Sequence, residues 1–148
     1  MKMHLSESGL NYIKSFEELS LRSYICPAGK LTVGYGHTGP DVKPNMIITE
    51  AEAAELFRKD CAWVEAAVNA MNADLNQNEF DALCSLVFNI GGEKFRTSTI
   101  RRLIVKKADK QKIADQFLVW TYIKGHYSQG LQNRRREERK IFLEGYKL

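Results

Sequence analysis

The sequence has 148 residues and sets 22 Lys plus Arg against 18 Asp plus Glu, a formal net charge of +4. That length suits one domain with a real core and is too short for two ordinary ones, while mild basicity favours a polyanionic partner without choosing among nucleic acid, acidic lipid and an anionic bacterial wall. Three cysteines, Cys26, Cys61 and Cys84, cannot all pair, and their sparse use argues against a disulfide scaffold.

The amino terminus, MKMHLSESGLNYIK, has no long apolar stretch behind its charges, so neither a secretion signal nor a membrane span is visible and synthesis in cytoplasm is expected. Ser6 or Ser8 caps a first helix whose apolar stripe is Leu10, Ile13 and Phe16, ending near Glu18. From Leu21 the pattern changes to strand. Cys26-Pro27-Ala28-Gly29 reads as a type I turn, and Leu31, Val33 and Tyr35 alternate with Thr32, Gly34 and Gly36, giving a small β-hairpin with a glycine-rich continuation.

Thr49 and Glu52 form a capping box ahead of Ala53, Leu56, Phe57, Cys61, Val64, Val68 and Met71, the pattern of one long helix. Asn76 and Glu79 repeat the box before a central helix, nearly apolar all round, that Gly91-Gly92 ends. Shorter helices are expected from about Ser98 to Lys107, after Asp109, and from about Leu131 to Glu144. Cys61, Cys84, Trp63 and Trp120 sit at apolar helical spacing and are expected in the core. The neighbours of Arg134 in the charged run "RRREERK" read as a solvated helix face. These elements predict one α+β domain over 1–148, with a β lobe over about 19–48 and a helical lobe over about 72–148 plus the first helix, joined by the long helix.

Glu17, Cys26 and Thr32 stand nine and then six residues apart, and Thr32 opens the run Thr32-Val33-Gly34-Tyr35-Gly36-His37. This order resembles the phage-type lysozymes, glycoside hydrolase family 24, which place a catalytic Glu, then Asp or sometimes Cys, then Thr at those intervals, followed by a T-[IV]-G-x-G-H stretch. Leu75-Asn76-Gln77-Asn78-Glu79-Phe80-Asp81-Ala82-Leu83 and Phe88-Asn89-Ile90-Gly91 look like that family's central helix. Gly130-Leu131 with Arg134 to Glu137 looks like its carboxyl-terminal motif. Two positions depart from the pattern: Glu18 stands where Gly commonly follows the catalytic Glu, and Cys26 stands where many members have Asp.

The resemblance implies a lysozyme fold and hydrolysis of the β-1,4 bond between N-acetylmuramic acid and N-acetylglucosamine in bacterial peptidoglycan, without a cofactor or metal. Glu17 would be the general acid, and Thr32 would help to hold the attacking water. A thiol with its ordinary pKa of about 8.5 is a poor substitute for a carboxylate, so Cys26 is expected to position water, with thiolate and nucleophile as the other roles. Asn89 would face the cleft and bond a sugar N-acetyl group, or else only cap its helix. Arg134 would lie near Glu17 and tune it, and His37 is expected to be a structural hydrogen-bonding residue more than a catalyst. The protein is expected to be a monomer that inserts stably in no membrane, binds no nucleic acid, and reaches the wall once a separate protein permeabilises the membrane.

Other classes fit less well. Arg134, Arg135, Arg136, Arg139 and Lys140 suggest nucleic acid, but Glu137 and Glu138 interrupt them and no recognition motif accompanies them. His4, His37 and His126 lack metal-ligand spacing. A cysteine protease would need an oriented His beside Cys26. A catalytically weak wall-binding or protein-interaction module of the same fold, and a transglycosylase closing an anhydro ring, remain as alternatives.

Overall fold

The computed structural model describes residues 2–123 and 125–146. By its contacts the chain forms two compact units, Leu10–Trp63 and the described residues of Met1–Gly9 with Val64–Leu148. Both boundaries fall inside helices, α1 (Glu7–Lys14) and α3 (Ala62–Asn69).

In the unit Leu10–Trp63, β1 (Ser20–Ile25), β2 (Leu31–Gly34) and β3 (His37–Thr38) form an antiparallel sheet in that order. The register pairs Tyr24 with Thr32 and Ile25 with Leu31, then slips before Ser20 meets Gly34. The slip arises because β1 turns to the returning chain: Ser23 donates to the Met46 carbonyl and Ile48 donates to that of Leu21, both at 2.9 Å. Val33, Val42, Ile48 and Ala53 form the core of this unit, so β2 lies against α2 (Glu50–Asp60). The capping box of Thr49 and Glu52 is formed at the start of α2. The expected long helix is instead α2 and α3 with Cys61 between them, where the Cys61 amide still reaches the Phe57 carbonyl at 3.0 Å.

The larger unit is built on α4 (Gln77–Ile90) and α8 (Gln129–Glu144), which pack on one another. Phe80 to Val87 are buried without interruption, as the all-round apolar pattern predicts, and Gly91 ends α4 at φ +93. Around them stand α5 (Gly92–Arg96), α6 (Thr99–Val105), α7 (Lys110–Asp115), a 3-10 turn over Gln116–Val119, and the hairpin β4 (Tyr122–Ile123) and β5 (His126–Tyr127). Neither α5 nor this hairpin is foreseen by a reading in which every later segment is helical. Both are too short to show a period.

Asp81 fastens the amino terminus to α4. Its buried carboxylate accepts from the Ser6 amide and hydroxyl, from Gln77 Nε2 at 2.8 Å and from the Tyr146 hydroxyl at 2.9 Å. Ser6, rather than Ser8, caps α1 by accepting from the Gly9 amide at 3.0 Å.

Two expectations are corrected. Trp63 is 46% exposed, because Cys61, Val64 and Val68 form the buried stripe and position 63 falls off it. The run "RRREERK" is not a solvated face throughout: Arg134, Arg135 and Glu138 are buried on the side of α8 that also buries Ile141 and Phe142, while Arg136, Glu137 and Lys140 are exposed. Cys61 and Cys84 are buried thiols, as their spacing predicts.

Candidate active site

Three local structures bring chemistry together within the unit Leu10–Trp63. Helix α1 stops at Lys14, four residues before its expected end, and tightens: Phe16 donates to the Ile13 carbonyl at 3.1 Å and Glu17 to that of Lys14 at 3.0 Å. This turn presents Glu17 half-buried, while Glu18 is exposed.

Cys26 opens the hairpin turn. Its carbonyl accepts from Gly29 at 2.8 Å and its amide donates to Lys30 at 2.9 Å, with Gly29 at φ +81 where only glycine sits without strain. Thr32, one residue into β2, is buried and donates its hydroxyl to the Lys30 carbonyl at 2.9 Å.

Glu17, Cys26 and Thr32 line one open groove of about 250 Å³ with Glu18, Tyr24, Gly36 and Thr38. Gly36 stands at φ +79, and a Cβ there would lie 3.5 Å from Glu17 Oε1, so the glycine run leaves room beside the acid. Tyr24 and Thr38 follow from the register, since both pair with Thr32 from the two flanking strands.

The Cys26 thiol is held below its ordinary range by hydrogen bonding from the Lys30 backbone and then from the Thr32 side chain. The Thr32 hydroxyl has one proton and two acceptors, the Lys30 carbonyl and the Cys26 sulfur, and its lone pairs stay available for a water.

His37 does not point its ring nitrogens at this chemistry. Nδ1 meets Asp60 at 2.8 Å and Nε2 meets Asp41 at 2.9 Å. Burial disfavours its cation, but the hydrogen bonds of Asp60 and Asp41 outweigh that and raise its pKa, while the bond from His37 lowers that of Asp41. His37 thereby joins β3 to the end of α2. Asp60 is not foreseen from the spacing, because it is 23 residues away.

Asn89 and Arg134 belong to the larger unit. Arg134 Nε meets Glu138 at 3.3 Å, and its Nη2 reaches the Ser85 carbonyl at 3.4 Å. Asn89 is exposed near the end of α4, with its Oδ1 accepting from Arg135. Arg135 itself is not foreseen as a site residue, hidden in a run of like charges. Among the described residues no group of three or more His, Cys, Asp or Glu is placed to hold a metal ion.

The family model for phage lysozyme matches residues 14–138 of the chain. The chain belongs to the phage lysozyme family. It is 40% identical over 146 residues to the endolysin of Salmonella phage P22, a match spanning 95% of this chain and 99% of that one. The crystal structure of a P22 lysozyme mutant superposes with a TM-score of 0.86 at 40% identity over 95% of this chain and 99% of the other. The endolysin of Bacillus phage B103 is 38% identical over 97% of this chain but only 55% of its own length, so the chain spans about half of that relative. The phage lysozyme resemblance drawn from short motifs therefore extends to the whole α+β fold.

Proposed function

We propose that the protein is a muramidase that hydrolyses the β-1,4 bond between N-acetylmuramic acid and N-acetylglucosamine in bacterial peptidoglycan, in the service of host-cell lysis. The observation that carries this reading is the meeting of Glu17, Cys26 and Thr32 in one groove. Membership in the phage lysozyme family supplies the reaction class.

Breaking the acetal needs a proton on the departing oxygen and a nucleophile at the anomeric carbon while positive charge develops on the ring. Glu17 donates the proton. A water held by the Thr32 hydroxyl attacks the opposite face, and Cys26 orients that water through its sulfur, the more strongly the larger its thiolate fraction. Thr32 can turn its proton toward the sulfur and its lone pairs toward the water. Asn89 donates its amide hydrogens to a sugar carbonyl, and Arg134 is held within its own unit by Glu138 and the Ser85 carbonyl. No cofactor enters. The enzyme acts as a monomer, made in the host cytoplasm and delivered to the wall when a separate protein opens the membrane; no helix among the described residues is long and apolar enough to cross one.

Turbidity loss of purified cell walls tests the reading. Wild type clears the suspension and releases new reducing ends, whereas Glu17→Gln slows clearing by at least about 10³-fold at an unchanged melting temperature. Equal clearing by both proteins would remove Glu17 from the chemistry. Muropeptides lighter by one water would replace hydrolysis with transglycosylation.

A further inference from the structure

The groove that holds Glu17 carries a second acid that the reaction does not use. Glu18 lines it with Glu17, Cys26 and Thr32, and no Lys, Arg or His stands in that lining. Glu17 is half-buried and Glu18 is exposed. Among the described residues the Glu18 side chain makes no hydrogen bond and no ion pair. Position 18 is commonly glycine in the phage lysozymes, so the family reaction does not need this carboxylate.

The surrounding charge has the same sign. Residues 10–63 hold six cations and seven acids, a net −1, in a chain of net +4. Hydrogen bonds from the Lys30 backbone and the Thr32 side chain also favour the thiolate of Cys26. The positive charge of the chain lies elsewhere, and the lining of this groove holds nothing that repels an entering cation.

The chemistry of the substrate defines which cation. In a hexosamine the nitrogen sits on C2, the carbon bonded to the anomeric centre where positive charge develops. Acetylated, that nitrogen is a neutral amide; unacetylated, it is an ammonium. An ammonium so close to an oxocarbenium-like centre opposes its formation, and a carboxylate facing the ammonium offsets the repulsion. Glu17 is occupied with the departing oxygen. Glu18, whose Cα follows that of Glu17 at about 3.8 Å, is the carboxylate of the groove without another task.

We infer that Glu18 recognises the ammonium of unacetylated amino sugars, so that the groove accepts wall glycan whose sugars have lost their acetyl groups. The inference rests on the reading of the protein as a peptidoglycan hydrolase and adds a specificity-determining residue to it. Diamino acids of the peptide stems also carry ammonium groups, but the stems hang from C3 through a lactyl arm, farther from the anomeric carbon.

Three wall preparations separate these sources. In the first every amine is acetylated. The second is the first with its sugars then deacetylated enzymatically, and in the third the sugars are acetylated and only stem amines are free. The readout is the ratio of kcat/KM on the second to that on the first, at about 50 mM salt. Glu18→Gln lowers this ratio about three- to fivefold, and Glu18→Lys lowers it further. Glu18→Asp keeps it within about twofold of wild type. At about 300 mM salt the wild-type ratio falls toward the Glu18→Gln value. The ratio of the third preparation to the first does not depend on position 18. Equal second-to-first ratios in wild type and Glu18→Gln overturn the assignment, and so does a dependence confined to stem amines. A wild-type ratio indifferent to salt overturns it even if every variant fails to fold. If wild type cleaves none of the walls, the hydrolase reading falls and sedimentation of the same proteins with the insoluble walls decides the ammonium site. Retention on the second preparation that is lost in Glu18→Gln upholds the site, and equal retention overturns it.

Discussion

Arg135 donates a guanidinium hydrogen bond to Oδ1 of Asn89. The amide is thereby fixed in direction: its oxygen is engaged by a fully buried cation, and its two N–H donors belong to the exposed side. Asn89 in this setting offers donors, the polarity that a sugar N-acetyl carbonyl requires. Asn89→Asp keeps the acceptor for Arg135 and removes the donors. Its melting temperature is expected to stay within about 2 °C of wild type. Its kcat/KM on walls is expected to fall about tenfold, the worth of one lost hydrogen bond to substrate. Unchanged kinetics would leave Asn89 a helix-terminal residue only.

Cys26 is distinguishable from the other two thiols by exposure and by ionisation. Cys61 and Cys84 are buried, whereas Cys26 is half-buried and its thiolate is favoured by the Lys30 backbone and the Thr32 hydroxyl. One equivalent of thiol reagent is expected to react with the native protein and three with the unfolded chain. Labelling should start at a lower pH than for a free thiol, and Thr32→Val should move its midpoint upward. If the thiolate orients water, Cys26→Asp retains clearing activity with its rising limb displaced toward acid, and Cys26→Ser loses roughly tenfold or more. Equal activity in all three would make the sulfur a scaffold atom.

The meeting of three side chains in the candidate groove is legible in the sequence for specific reasons. Glu17, Cys26 and Thr32 come together because a helix end and a hairpin turn are local structures with local signals: a Pro-Ala-Gly turn, an alternating strand and a glycine run. The capping boxes at Thr49 and Asn76 were equally legible, being written within four residues. What escaped depends on partners distant along the chain. His37 finds Asp60 only through the fold, and Ser85 and Glu138 are 53 residues apart. Hydropathy assigns Arg135 and Glu138 to water, yet their opposite charges let α8 bury both. The hairpin of β4 and β5 contributes two residues from each strand, fewer than any periodic pattern can show.

His37 supplies a pH-dependent clamp between β3, Asp41 and Asp60. Its folded pKa lies above the ordinary value of 6.5, so the stabilisation it contributes is fully present below about that pH and fades as pH rises through the folded value. Asp41, depressed by the same contact, contributes above its unfolded value and loses that as pH falls through its folded one. The pair therefore contributes most in mildly acidic solution. Melting curves of wild type and His37→Gln are expected to differ most between about pH 5 and 6 and to converge toward pH 9. A gap that widens with rising pH would contradict the assignment.

The buried cluster on α8 should dominate the stability of its unit. Glu138 is fully buried and accepts from Arg135, Arg134 and Ser85. Burial pushes its carboxyl up against the pull of the two guanidiniums. Arg135 is fully buried too, with its Nε donating to the Trp120 carbonyl at 2.9 Å. Glu138→Gln keeps shape and volume but leaves two cations facing a neutral amide, a change that typically costs about 3–5 kcal/mol. Ser85→Ala removes one hydrogen bond and should cost about 1–2 kcal/mol. For a chain of this length these correspond to falls in melting temperature of roughly 10 °C and roughly 4 °C. Thermal unfolding followed by circular dichroism measures both, and the order decides the point. If Ser85→Ala costs as much as Glu138→Gln, the cluster is held by the hydroxyl bond and not by charge, and the burial of Arg135 needs another cause.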